Sequence, residues 1–173
     1  MKPSAVHAWP FVLLAACAGT PPPTPVPPVL VPPGEKAVDQ VAARGVQIYE
    51  CKAKGEAFEW TFVAPEAELF DASGKRAGTH GAGPHWLALD GSRIEGKVVS
   101  RQDAPAAGAI PWLLLQAQGG DGQRSFGRVG YIQRINTQGG LAPAASGCQR
   151  ASLGQTARVA YTADYRFLER ARP

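Results

Sequence analysis

Apolar residues along most of this chain recur at every second position, and the runs are broken by glycine, aspartate and serine, the pattern of strands joined by tight turns. Gly45 to Ala53 forms the first such run. Phe58, Trp60 and Phe62 fall on one face of the next, which extends to Val63. Leu69-Phe70 and Lys75 to Thr79 flank the turn residues Asp71 to Gly74, and Trp86 to Leu89 and Arg93 to Ser100 flank Asp90-Gly91, a strong hairpin signal. Ile110 to Ala117 is continuously apolar, which predicts a strand buried on both faces. Phe126 to Ile135 is expected to return from the turn at Gly119 to Gly122. The clearest strand comes last: Val159, Tyr161, Ala163, Tyr165 and Phe167 alternate with Arg158, Thr162, Asp164 and Arg166. Gly139 to Gly154 is irregular, with room for a helical turn. About eight to ten short, mostly antiparallel strands without long helices predict an all-β single domain, a β-sandwich or a β-barrel.

The N-terminus follows another logic. Lys2 precedes an apolar stretch from Ala8 to Ala16, which has signal-peptide length and is too short to span a bilayer. Leu14-Ala15-Ala16-Cys17 resembles the bacterial lipobox, which predicts removal of residues 1–16 and lipidation of Cys17. Several acyl chains on one residue anchor durably, because each buried methylene contributes roughly 0.8 kcal/mol. The alternative is an ordinary secretory signal that ends near a cysteine. Eight of the thirteen residues from Pro21 to Pro33 are proline. At about 3.1 Å per residue in polyproline II, residues 17–35 are expected to form a semi-rigid stalk on the order of 40 Å long.

Residues 36–173 remain for the folded domain, enough for one real core. Without Lys2 the chain carries 17 basic and 14 acidic side chains, a net +3. These are scattered, which argues against a nucleic-acid surface. With Cys17 assigned to lipid, Cys51 and Cys148 are left as a pair in an oxidising compartment, and a disulfide is the expected outcome. A redox-active cysteine and a metal thiolate are the alternatives. Neither has a Cys-x-x-Cys neighbour or a histidine close in sequence.

Several stretches in order resemble the family known as domain of unknown function 3455, found in bacteria and fungi: Gly45-Val46-Gln47-Ile48-Tyr49-Glu50-Cys51, Ala64-Pro65-Glu66-Ala67, Gly78-Thr79-His80, Gly83-Pro84 before Trp86, Ile110-Pro111-Trp112, and Ile132 to Gly140. The resemblance covers nearly all of residues 32–169. It implies no activity, cofactor or catalytic residue. Some fungal relatives carry a malate dehydrogenase label, yet no Gly-x-Gly-x-x-Gly turn between strand and helix occurs here. After Thr79-His80 relatives often have an aromatic where this chain has Gly81, so a pocket wall built from that ring is expected to be missing.

Candidate chemistry is densest from Thr79 to Trp86, closed by Asp90. Glycines permit close backbone approach, histidines serve as acid, base or metal ligand, and Trp86 offers a flat apolar face. His80 and His85, five residues apart, would converge on a metal only if both lay in one loop, with Asp90 or Glu95 completing the shell. A triad of Ser92, His80 and Asp164, and carboxylate pairs such as Glu66 with Glu68 or Glu50 with Glu59, are equally consistent with a solvated surface. Trp60, Trp86 and Trp112 with Tyr49, Tyr131 and Tyr161 either line a sugar or lipid cavity or pack the core; Trp112, among Leu113 to Leu115, is expected in the core. Gln133, Arg134 and Asn136 near a sheet end are candidates to orient a ligand, or else a hydrogen-bonded strand terminus.

The expectation from sequence is therefore a cell-envelope protein, lipid-anchored to the membrane at Cys17, that needs no cofactor. Its role is expected to be noncatalytic: it binds a small-molecule or envelope-polymer ligand or makes a structural contact. The alternative is an envelope or extracellular enzyme, hydrolase-like or metal-dependent, using His80 and His85. Ala18 after Cys17 favours the outer membrane if the host is Gram-negative.

Overall fold

Tyr161, Ala163, Tyr165 and Phe167 form the buried face of the last strand, as their alternation predicts. A sheet with one apolar face must stack or close to hide it. Here it closes. The computed structural model, which describes residues 25–119 and 124–170, contains strands β1 (Glu35–Lys54), β2 (Ala57–Phe70), β3 (Arg76–Gly81), β4 (His85–Ala88), β5 (Arg93–Gln102), β6 (Trp112–Gln118), β7 (Tyr131–Gly139) and β8 (Thr156–Arg170). Each pairs antiparallel with its sequence neighbours, and β8 returns to β1, so the choice left open between sandwich and barrel falls to an up-and-down barrel without a free edge.

Two apolar sets on β2 have opposite parity, Phe58, Trp60 and Phe62 against Pro65, Ala67 and Leu69. A regular strand would turn one set to solvent. Instead Ile48 pairs with Ala64 and Tyr49 with Phe62, leaving Val63 as an unpaired bulge residue, so that both sets share the inner face of the sheet while Phe62 stays half exposed. The Tyr49 and Phe62 rings then meet edge-on at 5.8 Å. The inner core is built from Leu69, Trp86, Ile94, Ile132 and Phe167 and their neighbours. Gly96 makes room for it: a Cβ there would lie 3.0 Å from Trp86 Cζ3 and 3.1 Å from Leu115 Cδ2.

The apolar run in β6 is buried on both faces, as predicted. Leu113 and Leu115 join the inner cluster, while Trp112 and Leu114 point outward and pack with Ile135 under Leu30. Leu30 is fully buried at the end of a single 3-10 turn, Pro28–Leu30, and its carbonyl accepts a 2.6 Å hydrogen bond from Gln133 Nε2. Within the segment expected as a stalk, residues 17–35, Leu30 is therefore packed on the barrel, with Val26 partly buried against the same cluster. The signal segment, Cys17 and the run up to Thr24 lie outside the described residues.

The predicted strand from Phe126 begins only at Tyr131; Phe126 and Val129 are buried in the preceding turn, and the Phe126 ring meets Phe167 at 4.9 Å. The irregular Gly139–Gly154 segment holds two 3-10 turns, Ala145–Gly147 and Arg150–Ser152. Cys148 between them is bonded to Cys51 on β1, with the Cα atoms 5.3 Å apart.

Candidate functional site

β3 and β4 form a hairpin in which His80 pairs with Trp86 and Gly81 with His85. Paired residues share a face, so His80 and Trp86 point into the barrel while His85 lies outside, over Gly81. The His85 ring comes within 2.8 Å of where a Cβ on Gly81 would sit. A ring at that position would therefore stand on the outer surface, and Gly81 leaves no gap in an inner pocket wall. The two histidines, on opposite faces of the sheet, do not converge on one ion, and no cluster of three potential metal ligands exists among the described residues.

His80 is buried and stacks on Trp86 with ring centroids 4.5 Å apart and planes 20° from parallel. Its Nδ1–H donates to the His85 carbonyl at 2.8 Å. That fixes the tautomer and leaves the lone pair on Nε2. Burial pushes its pKa down to about 3, with the nearby Arg134 charge acting in the same direction, so the ring is neutral at physiological pH.

Beside these rings is a cavity of about 370 Å³, within the roughly 300–1,000 Å³ typical of small-molecule sites. Its apolar wall comes from Phe62, Val63 and Pro65 around the β2 bulge and from Leu113 and Leu115 on β6. Gly83 and Pro84 of the β3–β4 turn lie at its border. The polar groups are His80, Arg134 and Tyr165, each from a different strand. Arg134 and Tyr165 are register partners on β7 and β8. The Arg134 Nε and Nη2 both donate to the Pro111 carbonyl, at 3.1 and 2.8 Å, which braces the guanidinium. Burial raises the pKa of the Tyr165 hydroxyl, so it stays protonated and can donate. Tyr161, raised chiefly by burial as well, has its hydroxyl 3.5 Å from that of Tyr165.

The other candidates are placed elsewhere. Gln133 neighbours Arg134 in sequence but faces outward and holds the Leu30 carbonyl. Asn136 sits in a β7 register shift with φ of 51° and donates to Asp164 on the surface at 2.8 Å. Asp90 is occupied by its own turn and the next: its carboxylate accepts from Ser92 N and Oγ at 2.8 and 2.6 Å and from Ser125 N and Oγ at 3.2 and 2.9 Å. Those bonds, Ser92 first, depress its pKa. Ser92, His80 and Asp164 therefore form no triad. Glu66, Glu68, Glu50 and Glu59 each pair with a surface cation, namely Arg158, Arg76, Lys52 and Lys54. Glu66, Glu68, Arg76 and Arg158 line a shallower outer groove with Arg44, which rests over the Phe70 ring.

Sequence reasoning thus found Trp86, His80 and Arg134 but missed Tyr165, Phe62 and Val63 as cavity residues. Tyr165 stood in the pattern only as one alternating core position. Phe62 and Val63 reach the cavity through a bulge that pairing with β1 creates. No curated protein and no solved structure matches the chain significantly. The family model described as protein of unknown function (DUF3455) matches residues 32–169, most of the chain. The chain belongs to that family.

Proposed function

We propose that this protein is a lipid-anchored envelope module that binds a small ligand noncatalytically inside its barrel. The observation carrying the binding role is the cavity of about 370 Å³, apolar on its β2 and β6 walls, with His80, Arg134 and Tyr165 gathered from three strands. Preformed concave sites with few, well-braced polar groups are what small-molecule recognition requires. The acid and base candidates read from the sequence are dispersed: His80 is inside and neutral, His85 outside, and Asp90 bound within its turn. The anchor rests on Leu14-Ala15-Ala16-Cys17 and the short apolar segment before it.

Two experiments test these parts separately. A thermal-shift screen of a broad small-molecule library against the full chain should yield ligands that raise the melting temperature, because binding to the native state alone must stabilise it. Replacing Leu115, on the cavity wall, with Trp should abolish those shifts; if hits persist unchanged in that variant, they bind elsewhere and the cavity reading fails. For the anchor, Cys17→Ser should release the protein from the membrane fraction and end incorporation of labelled fatty acid, and unchanged partitioning refutes it.

A further inference from the structure

The charges around the cavity do not balance. Arg134 carries five N–H donors in a planar fork; the Pro111 carbonyl engages Nε and Nη2 and the Tyr165 hydroxyl is a further neutral partner, so no acceptor among them carries charge. No carboxylate lines the cavity, and Arg134 forms no salt bridge among the described residues. His80 is neutral and Tyr165 protonated, so neither offsets the cation. Trp86, wholly buried, gives the same space a flat apolar face. A half-buried cation without a counter-charge is costly to keep.

We propose that the ligand is a small carboxylate with an apolar body: its carboxylate pairs with the open edge of the Arg134 guanidinium, and its body lies between Trp86 and the Phe62–Leu115 walls. This inference rests on the cavity-binding reading above and adds the ligand's chemical class. A bidentate guanidinium–carboxylate pair out of bulk water is among the stronger polar contacts available to a protein. The Tyr165 hydroxyl, protonated and 3.5 Å from that of Tyr161, borders the same space beside Arg134. The remaining lining is apolar enough to accept a ring or a short alkyl chain, and the β2 bulge at Val63 shapes its border.

Matched pairs that differ only in charge test this assignment: benzoate and benzamide, 2-naphthoate and 2-naphthamide, octanoate and octanamide. They are titrated calorimetrically into the full chain carrying Cys17→Ser, with Arg134→Gln and Arg134→Lys made in the same background. Expected is an affinity for at least one acid about tenfold or more above its amide. That preference should vanish in Arg134→Gln and persist in part in Arg134→Lys. Equal affinities of acid and amide for the unsubstituted cavity overturn the carboxylate assignment while leaving a binding cavity in place. No heat from any of the six compounds, in a protein whose near-ultraviolet circular dichroism is native, overturns the cavity reading itself. Because the pairs are compared on unsubstituted Arg134, the test stands even if Arg134→Gln fails to fold.

Discussion

His80 lies nearly parallel to Trp86, 4.5 Å between ring centroids, with its one N–H spent on the backbone carbonyl of His85. Such a ring resists protonation, because charging it would place a cation in the barrel interior near Arg134. Its folded pKa of about 3 stands below the ordinary 6.5. Between those values the unfolded chain binds a proton that the native one does not. The contribution to stability is therefore fully present above about pH 6.5 and is lost as pH falls toward 3. At about 1.36 kcal/mol per unit, the loss is on the order of several kcal/mol. His80→Phe keeps the stack and should flatten this slope in urea melts between pH 7 and 4; an unchanged slope would show that other groups carry it.

The Cys51–Cys148 bond closes a loop spanning 97 positions and ties the two 3-10 turns to β1. Replacing both cysteines with alanine is predicted to cost about 2–5 kcal/mol, in proportion to the chain entropy the link removes from the unfolded state. Denaturant midpoints of the oxidised and double-alanine proteins measure it, and coincident midpoints contradict it.

Leu30 fills a slot formed by Trp112, Leu114 and Ile135 on the outer wall. Leu30→Ala should cost about 2–5 kcal/mol, as for other buried leucines. Gln133→Ala should cost about 1 kcal/mol by stranding the Leu30 carbonyl. Neither change should alter ligand affinity, since both residues face away from the cavity. A stalk standing clear of the barrel would instead make Leu30→Ala silent.

At Gly96 the test is one of space. A valine there would press on Trp86 and Leu115, which begin at 3.0 and 3.1 Å from its Cβ, and overpacking of this kind costs about 1–3 kcal/mol. Because both neighbours line the cavity, Gly96→Val should also weaken binding of whichever probe the wild-type protein takes up. Calorimetry on a variant shown to be folded decides between the two effects.

Much of this molecule is readable along the chain because a strand's alternation is a local property. Tyr161, Ala163, Tyr165 and Phe167 name their own buried face, Asp90-Gly91 names its turn, and the doubly apolar β6 announces cover on both sides. The Cys51–Cys148 pair followed from the cysteine count once Cys17 was set aside. Trp86, His80 and Arg134 were candidates by residue type alone.

What lies inside a barrel is decided between strands. Gln133 and Arg134 looked alike as polar neighbours, and only the pairing of Arg134 with Tyr165 turns one inward and leaves the other to hold Leu30. His80 and His85 were close in number, and the hairpin register put a sheet between them. The sequence alone determined the all-β class, the buried face of β8 and the cysteine pair, since each depends on short-range periodicity or on counting. Closure into a barrel, the Val63 bulge, the docked Leu30 and the cavity with its unbalanced cation came from the tertiary structure. Register shifts by single residues reverse a side chain's face, and their positions are set by contacts among strands far apart in the chain.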